Sequence, residues 1–166
     1  MLFKITTRNS LRFAFIAIFW IAGLSQAFAG SSCATDQLDI RSATGTYRFQ
    51  IEVVDTPELR AQGLMHREQM ATFAGMLFVY DNPQPMRFWM RNTLIPLDML
   101  FIDSNGMIAH IHENAIPLDE TTIFGGDAIQ YVFEINGGLS ETLGITVGSA
   151  VRHAAITGPE VIWACE

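Results

Sequence analysis

Between Phe88 and Asp103 the chain reads Phe-Trp-Met-Arg-Asn-Thr-Leu-Ile-Pro-Leu-Asp-Met-Leu-Phe-Ile-Asp, an apolar run interrupted by Arg91, Asn92, Thr93 and Asp98. A run this apolar belongs in a core, and a polar side chain buried with it costs about 1–3 kcal/mol unless it is paired. The fold must therefore supply partners for these side chains, from its own atoms or from something it binds.

The rest of the chain alternates with the period of β-strands. From Gly45 to Val54, Tyr47, Phe49, Ile51 and Val53 share one face, and Arg48, Gln50 and Glu52 the other. This is the pattern of a half-buried strand. Thr56 then offers a helix cap, Pro57 suits the first helical position, and Gly63 suits the residue past the end, which predicts a helix over Pro57–Gln62. Met76–Tyr80 and Arg87–Met90 read as strands parted by a turn at Asp81, Asn82, Pro83 and Pro85. Asp98–Asp103 and Met107–His112 flank Ser104-Asn105-Gly106, a strong hairpin signal.

Glu113 to Ala128 reads as a loop of sixteen residues, with a short strand near Thr121–Phe124 as the alternative. Ile129–Asn136 alternates again, with Tyr131, Phe133 and Ile135 inward and Glu134 on a solvated face. Leu139–Leu143 suits one helical turn, and Ala150–Thr157 a closing strand. Eight or so short strands with one or two small helices predict an all-β sandwich or barrel.

Residues 1–29 have the form of an export signal. Lys4, Arg8 and Arg12 precede an apolar run from Phe13 to Leu24, and Ala27-Phe28-Ala29 is a small-x-small cleavage site. That run is short of the roughly 18–20 residues of a membrane span, so cleavage rather than anchoring is expected. The remainder, residues 30–166, is the size of one domain. Periplasm or secretion is the expected location.

The segment removes the only lysine and leaves seven arginines against seventeen Asp and Glu, a balance of about −10. So acidic a chain repels phosphate backbones, which excludes nucleic acid as a partner. The lack of lysine removes Schiff-base chemistry and the phosphate-loop motif. Cys33 and Cys165 are the only cysteines, and in an exported protein they favour a disulfide between the ends of the mature chain. A lipid-attached Cys33 is the rival, although Gly30 stands where a large aliphatic residue is wanted.

Arg60, Gly63, Leu64, Met65, the Gly75-Met76-Leu77-Phe78 run and the long block from Phe88 to Asp103 together resemble the bacterial and archaeal family called domain of unknown function 192. The resemblance runs from about Leu38 to Val151 and implies a jelly-roll-like β-sandwich, without implying a reaction. One departure is Gly148-Ser149, where the family tends to carry Gly-Asp; serine can replace aspartate if that residue only shapes the turn.

Three chemical readings follow. Arg60, Trp89, Asn92, Thr93 and Asp98 offer a fork donor, an aromatic face, amide and hydroxyl groups and a carboxylate, suited to a small polar ligand. A partner protein at this block and at the acidic loop near Asp119 is the alternative, and Asp98 could instead cap amides between Thr93 and Leu97 and pair with an arginine. His110 and His112, two apart on one strand, together with seven mature methionines, raise copper handling, although the spacing to Glu113 and Asp119 fits metal-binding jelly rolls poorly. Asp98, Asp103, Glu113 and Glu134 could supply a hydrolytic carboxylate pair. The leading expectation is non-catalytic binding without a cofactor.

Overall fold

The computed structural model describes Met1 and residues 33–165, so the export segment expected over residues 1–29 lies, beyond Met1, outside the described residues. Seven strands and two short helices follow in the order β1 (Gln37–Arg41), β2 (Thr46–Val54), α1 (Pro57–Gln62), β3 (Ala74–Phe88), β4 (Leu97–Ile102), β5 (Ile108–Ala115), β6 (Ile123–Asn136), α2 (Leu139–Thr142) and β7 (Ala150–Arg152). All strands belong to one sheet, in the order β5-β4-β6-β3-β2-β1-β7. The all-β expectation is met.

The sheet curls until its edges touch. Met107 bridges Ala150, Val151 N–H donates to the Gly106 carbonyl at 2.8 Å, and Ile108 N–H to that of Ser149 at 3.0 Å. Curling divides the apolar residues into two layers. Leu38, Ile40, Phe49, Leu77, Leu100, Ile102, Tyr131 and Phe133 fill the inside. Met76, Phe78, Met99, Phe101 and Val132 form an outer layer, covered by Leu64, Met90 and Ile95 from the connections. Hence every residue of β4 is buried.

Several elements follow from local chemistry. Thr56 accepts from Leu59 N–H at 3.3 Å, Pro57 occupies the first turn of α1, and Gly63 ends it at φ 49°, where L side chains are disfavoured. β1 pairs with both β2 and β7, placing Asp39 opposite Arg48 and Arg152. Both guanidinium groups bond its carboxylate, at 2.7 and 2.6 Å, and Arg48 above all holds that carboxyl below its usual range. Cys33 and Cys165 form a disulfide with Cα atoms 5.5 Å apart. Both cysteines are thereby occupied, which answers the lipid-attachment alternative for Cys33 in this structure.

Four readings of the sequence need correction. β3 is continuous from Ala74 to Phe88 rather than two strands and a turn: its pairing with β6 jumps from Val79 to Gln84, so Pro83 and Pro85 meet no demand for a ladder N–H. The sixteen-residue loop shrinks to residues 116–122, because β5 extends to Ala115 and β6 begins at Ile123. The last strand stops at Arg152, where His153 turns the chain by accepting from Ala155 N–H. Glu134 is 4 % exposed, because the face opposite Phe133 lies beneath the outer layer instead of in solvent.

Candidate functional site

β6 lies between β3 and β4, and the register sets Glu134 directly between Met76 and Met99. The connection after α1 folds over this face, bringing Gly63, Leu64 and Met65 against Phe78. The segment Phe88–Thr93 closes the other side. Between them is a small hollow of about 40 Å³, lined by Arg60, Ala61, Gln62, Gly63, Leu64, Met65, Phe78, Phe88, Trp89, Arg91, Thr93 and Glu134. Glu134 is its only acid.

Arg60 reaches the hollow from the last turn of α1. Its Nη1 donates to the Val79 carbonyl at 2.8 Å and also to the Asp55 carbonyl, and the guanidinium lies 4.6 Å from the Tyr80 ring centre. These contacts fix the arginine while leaving Nε and Nη2 without a partner among the described residues. Arg91 has no side-chain hydrogen bond among them either, and stands 5.9 Å from the Trp89 ring centre. Trp89 is 51 % exposed. Thr93 is buried, anchored through its N–H to the Met90 carbonyl at 3.1 Å and through its carbonyl to Leu118 N–H at 3.1 Å.

No donor among the described residues reaches the Glu134 carboxyl. Burial between two thioethers pushes its pKa up to about 8, so it is protonated at neutral pH. Burial likewise raises the Tyr80 hydroxyl; Arg60 opposes that rise and Glu134 adds to it.

Of the five side chains proposed from the sequence as ligand-binding, Arg60, Trp89 and Thr93 are brought together in the hollow. Asn92 stands beside it: left-handed at φ 57°, it accepts from His66 N–H through its carbonyl at 2.8 Å, and its amide is 3.8 Å from Met65 Sδ. Asp98 is elsewhere, on the inner face of the sheet and fully buried. It accepts from Asn114 N–H, Gly138 N–H and Ser140 N–H, each at 2.8 Å, and from Ser140 Oγ at 2.6 Å. The capping role is real, but its donors come from β5 and the start of α2, with no arginine among them.

The other candidates are dispersed. His110 stacks on Phe101 at 5.6 Å and His112 lines a separate groove with Met90 and Asp119. Among the described residues no three His, Cys, Asp or Glu side chains are grouped as metal ligands. Asp103 accepts two backbone amides of its hairpin turn, from Asn105 and Met107, at 2.9 Å each. Ser149 Oγ accepts from Thr146 N–H at 3.1 Å in the last turn, a purely local bond that an aspartate there could also make.

Sequence reasoning named Glu134 only as a possible member of a hydrolytic carboxylate pair on a solvated strand face, and gave Arg91 no role in the site. A signal for Glu134 existed in Met76–Tyr80 and Leu97–Ile102, which are apolar on both faces. Any strand lying between those two must be covered on both faces as well.

Residues 39–153 match the model of the family described as an uncharacterized ACR, domain of unknown function 192, and the chain belongs to that family. A crystal structure of a protein of unknown function from Novosphingobium aromaticivorans is 37% identical, with a TM-score of 0.68 over 69% of this chain and 82% of that one. A Sinorhizobium meliloti protein described as a "putative transcription regulator" is 42% identical, with a TM-score of 0.71 over 75% of this chain and 97% of that one. No curated protein matches.

Proposed function

We propose that this protein binds a small polar ligand, without catalysing a reaction, in the hollow between α1 and the Phe88–Thr93 segment. The observation that carries the reading is Glu134: a carboxyl buried on the floor of the hollow with no hydrogen-bond partner among the described residues. Its oxygens open onto the hollow, so a bound molecule can supply the hydrogen bond that the described chain does not. Nine of the twelve lining residues also belong to the segments through which the sequence resembles its family, which ties the hollow to the features that define the chain.

Binding takes place outside the cytoplasm, in the periplasm or after secretion. The Cys33–Cys165 disulfide supports that location, since such bonds persist in oxidising compartments. Among the described residues no helix is long and apolar enough to cross a membrane. Transcriptional regulation is not carried over from the S. meliloti protein. The described residues contain seven arginines and no lysine, and three of those arginines are ion-paired. Two-carboxylate hydrolysis has no second acid in the hollow, and His110 and His112 line different grooves, with no three His, Cys, Asp or Glu side chains grouped as metal ligands among the described residues.

A thermal-shift screen with sugars, short peptides, metals and small acids tests the reading. A ligand at about one hundred times its Kd adds about 2.7 kcal/mol of stability, and Trp89 fluorescence should report its entry. Stabilisation that survives Trp89→Ala and Glu134→Ala unchanged would place the ligand elsewhere and refute the assignment.

A further inference from the structure

We infer that the occupant of the hollow is a small carboxylate, gripped by Arg60 and Arg91 and receiving a hydrogen bond from the Glu134 carboxyl. This rests on the binding reading above and names its ligand class.

The partition of the arginines is the first support. Arg48 and Arg152 share Asp39, and Arg67 pairs with Glu52. Arg41, Arg60, Arg87 and Arg91 have no carboxylate partner among the described residues, although that span holds sixteen Asp and Glu. Of these four, Arg60 and Arg91 line the hollow. Acids are plentiful in this chain, yet the acid that shares the hollow with these two cations is one that burial keeps protonated at neutral pH.

Glu134 is the second support. Met76 and Met99 flank it from β3 and β4, and the charged or titratable groups that face it are Arg60 from α1, Tyr80 from β3 and Arg91 from the β3–β4 connection. Glu52, two strands away in the same row, is neutralised by Arg67. With its proton retained, Glu134 is a hydrogen-bond donor, as are the guanidinium groups, while the Thr93 hydroxyl donates to the Arg91 carbonyl at 3.4 Å. A hollow rich in donors and carrying two positive charges suits an anion. A cation would meet two guanidinium groups, and a neutral molecule would leave their charges uncompensated. The volume of about 40 Å³ restricts the ligand to a few heavy atoms. A carboxylate matches the planar fork of arginine in two-point contact and can accept the Glu134 proton in a third hydrogen bond.

The test is a titration of the disulfide-bonded protein with acetate and propionate, against acetamide, inorganic phosphate and methylammonium, followed by the Trp89 indole NMR signal. Acetate should bind at pH 6 and lose about tenfold in affinity at pH 9, one pH unit above the point at which Glu134 gives up its proton. Arg91→Ala should weaken acetate at least tenfold, whereas Arg87→Ala, which removes an arginine stacked on Phe124 outside the hollow, should leave it unchanged. Glu134→Gln should bind with a flat pH profile; if that variant does not fold, the wild-type profile alone decides. Acetamide binding as tightly as acetate, phosphate binding more tightly, or methylammonium binding at all would overturn the carboxylate assignment. So would undiminished acetate affinity at pH 9. Sugars or peptides that bind the hollow where acetate does not would overturn the ligand class and leave the binding reading standing; failure of every probe would end both.

Discussion

Asp98 and Glu134 occupy adjacent rungs of the same strand pair, Asp98 opposite Ile135 and Met99 opposite Glu134, yet they face opposite sides of the sheet. Asp98 points inward and accepts four hydrogen bonds, which join the end of β5 to the start of α2. Glu134 points outward into the hollow and accepts none among the described residues. Both side chains are buried, so burial alone does not separate a structural acid from a functional one. The donors do: a carboxyl saturated by its own chain has nothing left to offer a ligand, whereas an orphaned one is an open valence in the fold.

The largest test of this contrast is Asp98→Ala. It strands three backbone N–H groups and a hydroxyl in the interior, and the loss should be about 5 kcal/mol in urea or thermal unfolding. A loss below about 1 kcal/mol would show that these donors find other partners, and the contrast would fail.

Glu134 should behave in the opposite sense, through pH. Its proton leaves the unfolded chain near pH 4.5 but stays on the folded protein until about pH 8. The folded state therefore holds more protons across that window. Its contribution to stability is fully present below about pH 4.5, falls as pH rises, and levels off above about pH 8. The drop should be on the order of 5 kcal/mol, and Glu134→Gln should remove it. A wild-type stability profile that matches the Gln variant between pH 5 and 8 would mean that water or a fixed donor already serves the carboxyl.

Much of the fold was legible because it is local. The alternation in β2, the Thr56-Pro57 start of α1 and the Ser104-Asn105-Gly106 hairpin all depend on neighbours in sequence. What escaped depends on who lies beside whom. β1 carries only Leu38 and Ile40 as inward apolar residues around Asp39, and it is a strand because β2 and β7 pair with it on either side, which also sets Arg48 and Arg152 beside that aspartate. The prolines at 83 and 85 marked a turn, but a bulge carries them past β6 without breaking the strand. For the site, the block from Phe88 to Asp103 contains Trp89 and Thr93, which line the hollow. It could not show that Asp98 faces inward to α2, or that β6 inserts beside β4 and delivers Glu134. The spatial strand order, in which β6 separates β3 from β4, is a long-range fact that no window of sequence contains.

A smaller effect should come from Ser140→Ala, which removes one of the four bonds on Asp98 and should cost about 1.5–3 kcal/mol with ligand affinity unchanged, since Ser140 lies on the inner face. The smallest comes from Thr56→Ala. Thr56 caps α1 through Leu59 N–H, and α1 buries none of its own residues, so the cap is a substantial part of what holds this six-residue helix. Loss of the cap should cost about 1 kcal/mol globally. Its effect on the hollow should be larger in proportion, because Arg60 rides on the last turn of that helix and is fixed by the Asp55 and Val79 carbonyls on either side. Ligand affinity should fall severalfold while the Asp98 cluster is unaffected. A titration of Thr56→Ala beside Ser140→Ala thus separates the two faces of one sheet: equal affinity in both variants would show that α1 does not position the arginine for binding.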